Sequence, residues 1–289
     1  MTEAVQSDVG KPWTLRGTEV FEMESTPGDD FQISIGLPLS YDLIEKTYPV
    51  LYVLDANVNF GTVVETSRLM GTVAEASEVI VVGIGYPTRT DLVTFGNRRN
   101  YDFSTAEWNP ESPVRRLVEE LTEASGKTLR IGGAHAMIDF IIDQVQPFIA
   151  ERYRIDASDQ ALLGHSLGGH FVGQVMFRRP SAFSKYVISS PGFVYNDWEV
   201  LRLEEEYAKD HSDLPVQVYI TAGSDEALLF AKLGILSGAA KLAEALRLRD
   251  YPGLKLAAEF HSGKSHITTY PETVQRSLQL FWPGTPYGP

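Results

Sequence analysis

The stretch Ala161-Leu162-Leu163-Gly164-His165-Ser166-Leu167-Gly168-Gly169 decides the fold. Three apolar residues of strand character run into Gly-x-Ser-x-Gly, and Phe171-Val172-Gly173-Gln174-Val175-Met176 follows with helical character. A turn this tight between strand and helix needs small residues two before and two after the serine, where backbones meet. It thrusts the Ser166 hydroxyl out at the carboxyl end of a sheet, over the positive end of a helix. The bare pattern should arise by chance roughly 0.1 times in a chain of this length. The strand before it and the helix after it favour a nucleophile elbow over an ordinary glycine turn.

Upstream, residues 14–23 and 31–37 are β-rich runs separated by Pro27, Gly28, Asp29 and Asp30, which predicts an antiparallel pair at a sheet edge. Residues 49–54 and 79–84 are continuous Val, Ile, Leu and Tyr runs, as expected of strands covered on both faces. Residues 134–153 place Met137, Ile138, Ile141, Ile142, Val145, Phe148 and Ile149 on one helical face, with Pro147 a candidate kink. Downstream, strands at 185–189, 216–221 and 254–260 alternate with helices at 227–248 and 271–280. Such alternation requires crossovers between parallel strands, hence a three-layer α/β sandwich with a mostly parallel, roughly eight-stranded sheet. No repeat or linker divides the 289 residues, so a single domain is expected over 1–289. Residues 101–133, polar and carrying Pro110 and Pro113, fit the alternation least and read as a lid-like excursion.

A serine at its ordinary pKa is a weak nucleophile and needs a base oriented by an acid, here in the chain order Ser, acid, His. Of the six histidines, His135, His165 and His170 lie at or before the elbow or in its helix, and His211 sits in a polar run. His266, in the loop Gly263-Lys264-Ser265-His266 after the last strand, is preferred over His261, which can simply end that strand. The acid should follow strand 216–221, where Ala222-Gly223-Ser224-Asp225-Glu226 offers two adjacent candidates, one of which can serve as a helix N-terminal acid. An oxyanion needs two backbone donors. The amide of Leu167 is one, and Ala56 or Asn57, after the strand ending Leu54-Asp55, supplies the other.

Tyr48-Pro49-Val50-Leu51-Tyr52-Val53-Leu54-Asp55, the stretch 132–156, the elbow 164–169, the turn 223–226 and Ser265-His266 together resemble the Putative esterase family of α/β-hydrolases, and within it the siderophore trilactone esterases. The resemblance runs from about 31 to 281 and implies the α/β-hydrolase fold. That family's acid is a Glu three after the glycine, which implies Glu226 and leaves Asp225 in reserve. Members usually carry glycine where this chain has Ala56, and Pro-Ser-Leu-Trp-Trp where it reads Pro191-Gly192-Phe193-Val194-Tyr195. The second departure falls where an acyl or alcohol pocket would be.

Arg98, Arg99 and Tyr101 are candidate substrate contacts, with solvated loop charge as the competing reading. Phe193, Tyr195 and Trp198 line a pocket or belong to the core. With 25 Lys+Arg against 38 Asp+Glu the net charge is −13, which disfavours nucleic acid and anionic membranes as partners. There is no Cys and no His-Glu-x-x-His, so no metal is expected. No apolar run approaches 18 residues and the first 13 lack a signal-peptide core, which reads as a cytoplasmic chain. The residues thus predict a serine carboxylic-ester hydrolase working through an acyl-enzyme without cofactor. Its substrate would be a siderophore-type lactone or a small neutral ester. An acyltransferase and a catalytically silent binding protein on the same fold are the alternatives. No oligomeric state is assigned.

Overall fold

The computed structural model describes residues 13–25, 29–106, 108–193, 195–229 and 233–285, with only the backbone described for Val114 and Leu229. The expected turn residues Pro27 and Gly28, and residue 194 of the departing stretch, lie outside the described residues, as do 1–12 of the segment read for a signal. Eight strands form one sheet: β1 Thr18–Glu24, β2 Asp30–Gly36, β3 Tyr48–Val53, β4 Ile80–Gly85, β5 Ile155–His165, β6 Lys185–Ser189, β7 Gln217–Gly223 and β8 Lys255–His261. Their spatial order is β1-β2-β4-β3-β5-β6-β7-β8. β1 pairs antiparallel with β2, from Thr18 opposite Gly36 to Glu24 opposite Asp30, and β2 pairs antiparallel with β4. The remaining neighbours are parallel.

Because side chains alternate across a strand, each inner strand feeds two cores. Leu51 and Val53 of β3, with Ala161 and Leu163 of β5, face Val63 and Val64 of α1 (Ala56–Thr72) and Val274 and Leu278 of α10 (Tyr270–Phe281). Val50, Tyr52 and Leu162 face the other layer. That layer holds α4 (Ala134–Phe140), α5 (Gln146–Arg152), α6 (Leu167–Arg178) and α9 (Ile235–Arg249). The sandwich has the three layers expected.

Between β4 and α4 the chain forms α2 (Leu92–Phe103) and α3 (Pro113–Ala124). The excursion therefore opens at Leu92, inside a helix that already contains Tyr101, rather than at Tyr101 itself. α7 (Glu199–Asp210) and the short α8 (Glu226–Leu229) complete the elements. α1 is weakly marked by hydropathy; its inner side includes Ser67 and Arg68, and Arg68 donates to the main-chain oxygens of Gly17 and Leu37. The helix expected over 134–153 is α4 and α5 joined by a π-helical segment, Ile141–Val145. Pro147 explains it: lacking an N–H and crowding the carbonyl four residues back, it is tolerated at the start of a new helical register. Among the described residues no helix is long and apolar enough to cross a membrane.

Candidate active site

Ser166 stands between β5 and α6 with φ 61° and ψ −122°, a conformation sparsely populated by any residue but glycine. Its neighbours hold it there. The Ser166 amide donates to the Ser189 carbonyl at the end of β6 (2.9 Å), and the Ser166 carbonyl accepts from the His170 amide (3.0 Å). A Cβ on Gly164 would sit 2.2 Å from the Gly168 carbonyl oxygen, and one on Gly169 would sit 2.7 Å from that of Ser189. The helix can turn back beneath its own strand only because both positions are bare.

The amides opening α6, Leu167 first, have no partner within the helix and carry the positive end of its dipole. α1 opens beside them, because β3 and β5 are parallel neighbours in register, Val53 opposite Leu163. Asp55 caps α1 in a left-handed conformation (φ 56°, ψ 40°), and a Cβ on Gly168 would lie 3.2 Å from Asp55 Oδ2. Two helix N-termini thus stand together at the carboxyl edge of the sheet. Ala56 is buried there. The Asn57 side chain is committed to β4, donating to the Tyr86 carbonyl (2.7 Å) and accepting from the Tyr86 amide (2.8 Å).

Glu226 is buried in the turn after β7, at 1% exposure. Its Oε1 lies 2.5 Å from His266 Nδ1, and its Oε2 accepts from the Ser190 hydroxyl (3.0 Å) and the Gly223 amide (2.6 Å). Asp225, the other candidate, accepts from the neighbouring Ser224 hydroxyl instead (3.1 Å). His261 faces away, into a pairing with Tyr219 and Glu272 on β7 and α10. The His266 ring reaches the elbow, its centroid 4.5 Å from that of His165, the residue before Ser166.

The two arginines are held within the protein. Arg98 donates to the Asp30 carbonyl (2.6 Å), its guanidinium lying against the rings of Phe31 and Tyr86. Arg99 donates to Asp55 Oδ1 (2.7 Å) and to the His165 carbonyl (3.0 Å), tying the cap of α1 to the elbow. Tyr101 packs beneath Arg130 and against Gly133, in the excursion. Phe193 is fully buried against Gly173 of α6 and Gly238 of α9, hence core. Tyr195 packs against Trp108 of the excursion, ring centroids 4.8 Å apart and planes tilted by 41°, joining two segments. Sequence reasoning passed over Ser190, which fixes Glu226, and gave Asp55 no role. The Leu-Asp strand end was the only signal for the latter. Among the described residues no group of three or more His, Asp or Glu is spaced to hold a metal ion.

An eight-stranded sheet flanked by helices, with a strained serine between strand and helix at its carboxyl edge, defines an α/β-hydrolase. Residues 24–253 match the Putative esterase family, and the chain belongs to it. Ferri-bacillibactin esterase BesA of Bacillus subtilis is 32% identical over 287 residues, covering 96% of this chain and 94% of BesA. Siderophore triacetylfusarinine C esterase of Aspergillus fumigatus is 25% identical over 302 residues, covering 96% of this chain and 97% of that one. Among solved structures, the BES protein from Bacillus cereus superposes with a TM-score of 0.79 at 30% identity, covering 95% of this chain and 99% of that one. By family, then, the chain is an esterase.

Proposed function

We propose that this chain is a serine carboxylic-ester hydrolase with Ser166, His266 and Glu226 as its triad, acting on a siderophore-type lactone. The observation that carries the reading is the 2.5 Å pairing of buried Glu226 with His266, whose ring reaches the strained elbow. In this mechanism Glu226 accepts from Nδ1–H, which selects the tautomer with a basic Nε2 and stabilises the imidazolium as it forms. Nε2 takes the proton as Ser166 Oγ attacks the ester carbonyl. The amides of Leu167 and of Ala56 or Asn57 hold the oxyanion at the paired helix starts. His266 then gives the proton to the departing alkoxide, and water cleaves the acyl-enzyme by the same steps in reverse, with no cofactor.

The lactone substrate is supported by the names of BesA and the triacetylfusarinine C esterase. One observation favours a small neutral ester instead. Of the two candidate substrate cations, Arg99 is held by Asp55 and the His165 carbonyl, and Arg98 donates to the Asp30 carbonyl and lies on two aromatic rings.

A fluorophosphonate should add one adduct, mapping to Ser166, and Ser166→Ala should lose about 10⁴-fold in kcat on p-nitrophenyl acetate. Label elsewhere, or parent activity in that variant, refutes the reading. A panel including an iron-loaded trilactone separates the two substrates, and product diverted by an added alcohol would mark an acyltransferase.

A further inference from the structure

A hydrogen bond at Nδ1, such as that to Glu226, fixes one atom of an imidazole, and the plane of the ring is set by whatever else packs on it. A base that must meet a serine hydroxyl within a few tenths of an ångström needs a second constraint. The structure supplies a flat surface at the required place. His165 is buried, its ring centroid 4.5 Å from that of His266 with the planes 38° apart.

His165 is itself locked. Its Nδ1 lies 2.9 Å from the Ser189 hydroxyl, and that hydroxyl reaches Thr273 Oγ1 of α10 at 3.4 Å. Tyr270 of the same helix closes the edge of the ring at 5.2 Å, with the planes 73° apart. Arg99 holds the main chain by donating to the His165 carbonyl. The ring is therefore gripped from β6 and α10 and its main chain from α2, and it lies beside the His266 ring with the two planes tilted.

We propose that His165 is a positioning residue whose ring, fixed by Ser189, sets the ring plane of His266 during catalysis. The inference rests on the triad reading above. The charges around His165 suit the task. Burial first, then His266, then Arg99 hold its pKa well below the ordinary histidine value. A neutral ring beside His266 leaves the proton taken from Ser166 on the imidazole that Glu226 stabilises, whereas a second imidazolium at this distance would repel it.

Three variants separate plane-setting from bulk packing. His165→Gln keeps a polar partner for Ser189 and removes the flat ring; kcat on p-nitrophenyl acetate should fall about 10- to 100-fold with KM within twofold. His165→Phe restores a flat ring of similar breadth without the bond to Ser189, and should lose no more than the 3- to 10-fold expected of Ser189→Ala. Ser189→Ala keeps the ring and removes its lock; it should lose about 3- to 10-fold in kcat at unchanged KM. The rate of fluorophosphonate labelling at Ser166, which needs the same base, should fall in step with kcat in each. All are assayed well below their melting temperatures, so that a loss is not a loss of folded protein.

Parent kcat in His165→Gln, or in Ser189→Ala should the first not fold, overturns the proposal. So does a His165→Phe as impaired as the glutamine variant, which would put the role in the hydrogen bond rather than in the ring. The Ser166→Ala control keeps this outcome apart from the triad. If that control is inactive while the His165 and Ser189 variants run at the parent rate, only this inference falls; if the control is active, the triad reading itself falls.

Discussion

The elbow between β5 and α6 and the arch that packs on α6 through His170 and Arg178 are built on different principles. At the elbow, position is enforced by backbone. Gly164 and Gly169 bring main-chain atoms of strand, helix and β6 so close that no side chain fits. The arch joins the α2–α3 excursion to the segment before α7, and there position is enforced by a buried polar network. Glu199 accepts from Arg178 (2.9 Å) and Thr105 (3.1 Å) and lies 3.4 Å from His170, while Asn196 donates to that same threonine (3.1 Å). Three successive residues there, Asn196, Asp197 and Trp198, hold left-handed conformations. The difference teaches that the elbow serine is placed by sterics, which tolerate no variation. The segment before α7 is placed by electrostatics, which can be exchanged and which answer to pH.

The largest effect should come from Gly164→Ala, whose methyl would meet a carbonyl oxygen that cannot yield. A loss of about 3 kcal/mol or more in urea-induced unfolding is expected. Loss of less than about 1 kcal/mol would erase the contrast, because the elbow would then be as forgiving as a surface loop.

Next comes Glu199→Ala, which strands Arg178 and His170 and should cost about 2 to 3 kcal/mol. Burial pushes the Glu199 carboxyl up, but His170, Arg178 and Asn196 outweigh it and bring it down to about 2. The folded pKa is below the ordinary value of about 4.5, so its contribution is present above that pH and is lost as pH falls toward 2. Urea midpoints of parent and variant should therefore converge in acid. A constant difference from pH 7 to pH 3 would take the arch out of electrostatic control.

The smallest effect has the opposite sign. Asp102 in α2 accepts from the buried Tyr86 hydroxyl (2.9 Å), and burial above all lifts its carboxyl from 3.8 to about 7. The folded state then holds a proton that the unfolded chain releases near 3.8. Stability contributed by this group is present below that value and is lost as pH rises through about 7. Asp102→Asn should raise Tm at pH 8, corresponding to about 1 kcal/mol, and change little at pH 4. A lower Tm at pH 8 would show that the ionised carboxylate is useful there.

Much of this was legible beforehand, for identifiable reasons. Continuous apolar runs marked strands of a covered parallel sheet, and β6 is the run 185–189 itself. Ser166 announced itself because the turn demands glycine on both sides. α1 was weakly marked because Arg68 and Ser67, which no hydropathy pattern counts as apolar, lie on its buried side. α2 left a weak mark because Gly96 and the polar run Asn97-Arg98-Arg99-Asn100 interrupt its apolar residues, and it opens on an Asp91 cap that accepts from Val93 and Thr94. Arg98 and Arg99 looked like free cations because sequence shows a charge without showing what answers it, Asp55 lying 44 residues away.

By itself the sequence determined which residue could be the nucleophile and on what kind of sheet it stands, because close backbone approach and strand burial leave local marks in residue size and hydropathy. Only the tertiary structure decided which carboxylate meets His266, what answers the arginines, and which ring packs beside that of His266. Those are contacts across 40 to 100 residues of chain, and a hydrogen bond or a ring face depends on where two distant backbones converge, which no local pattern encodes.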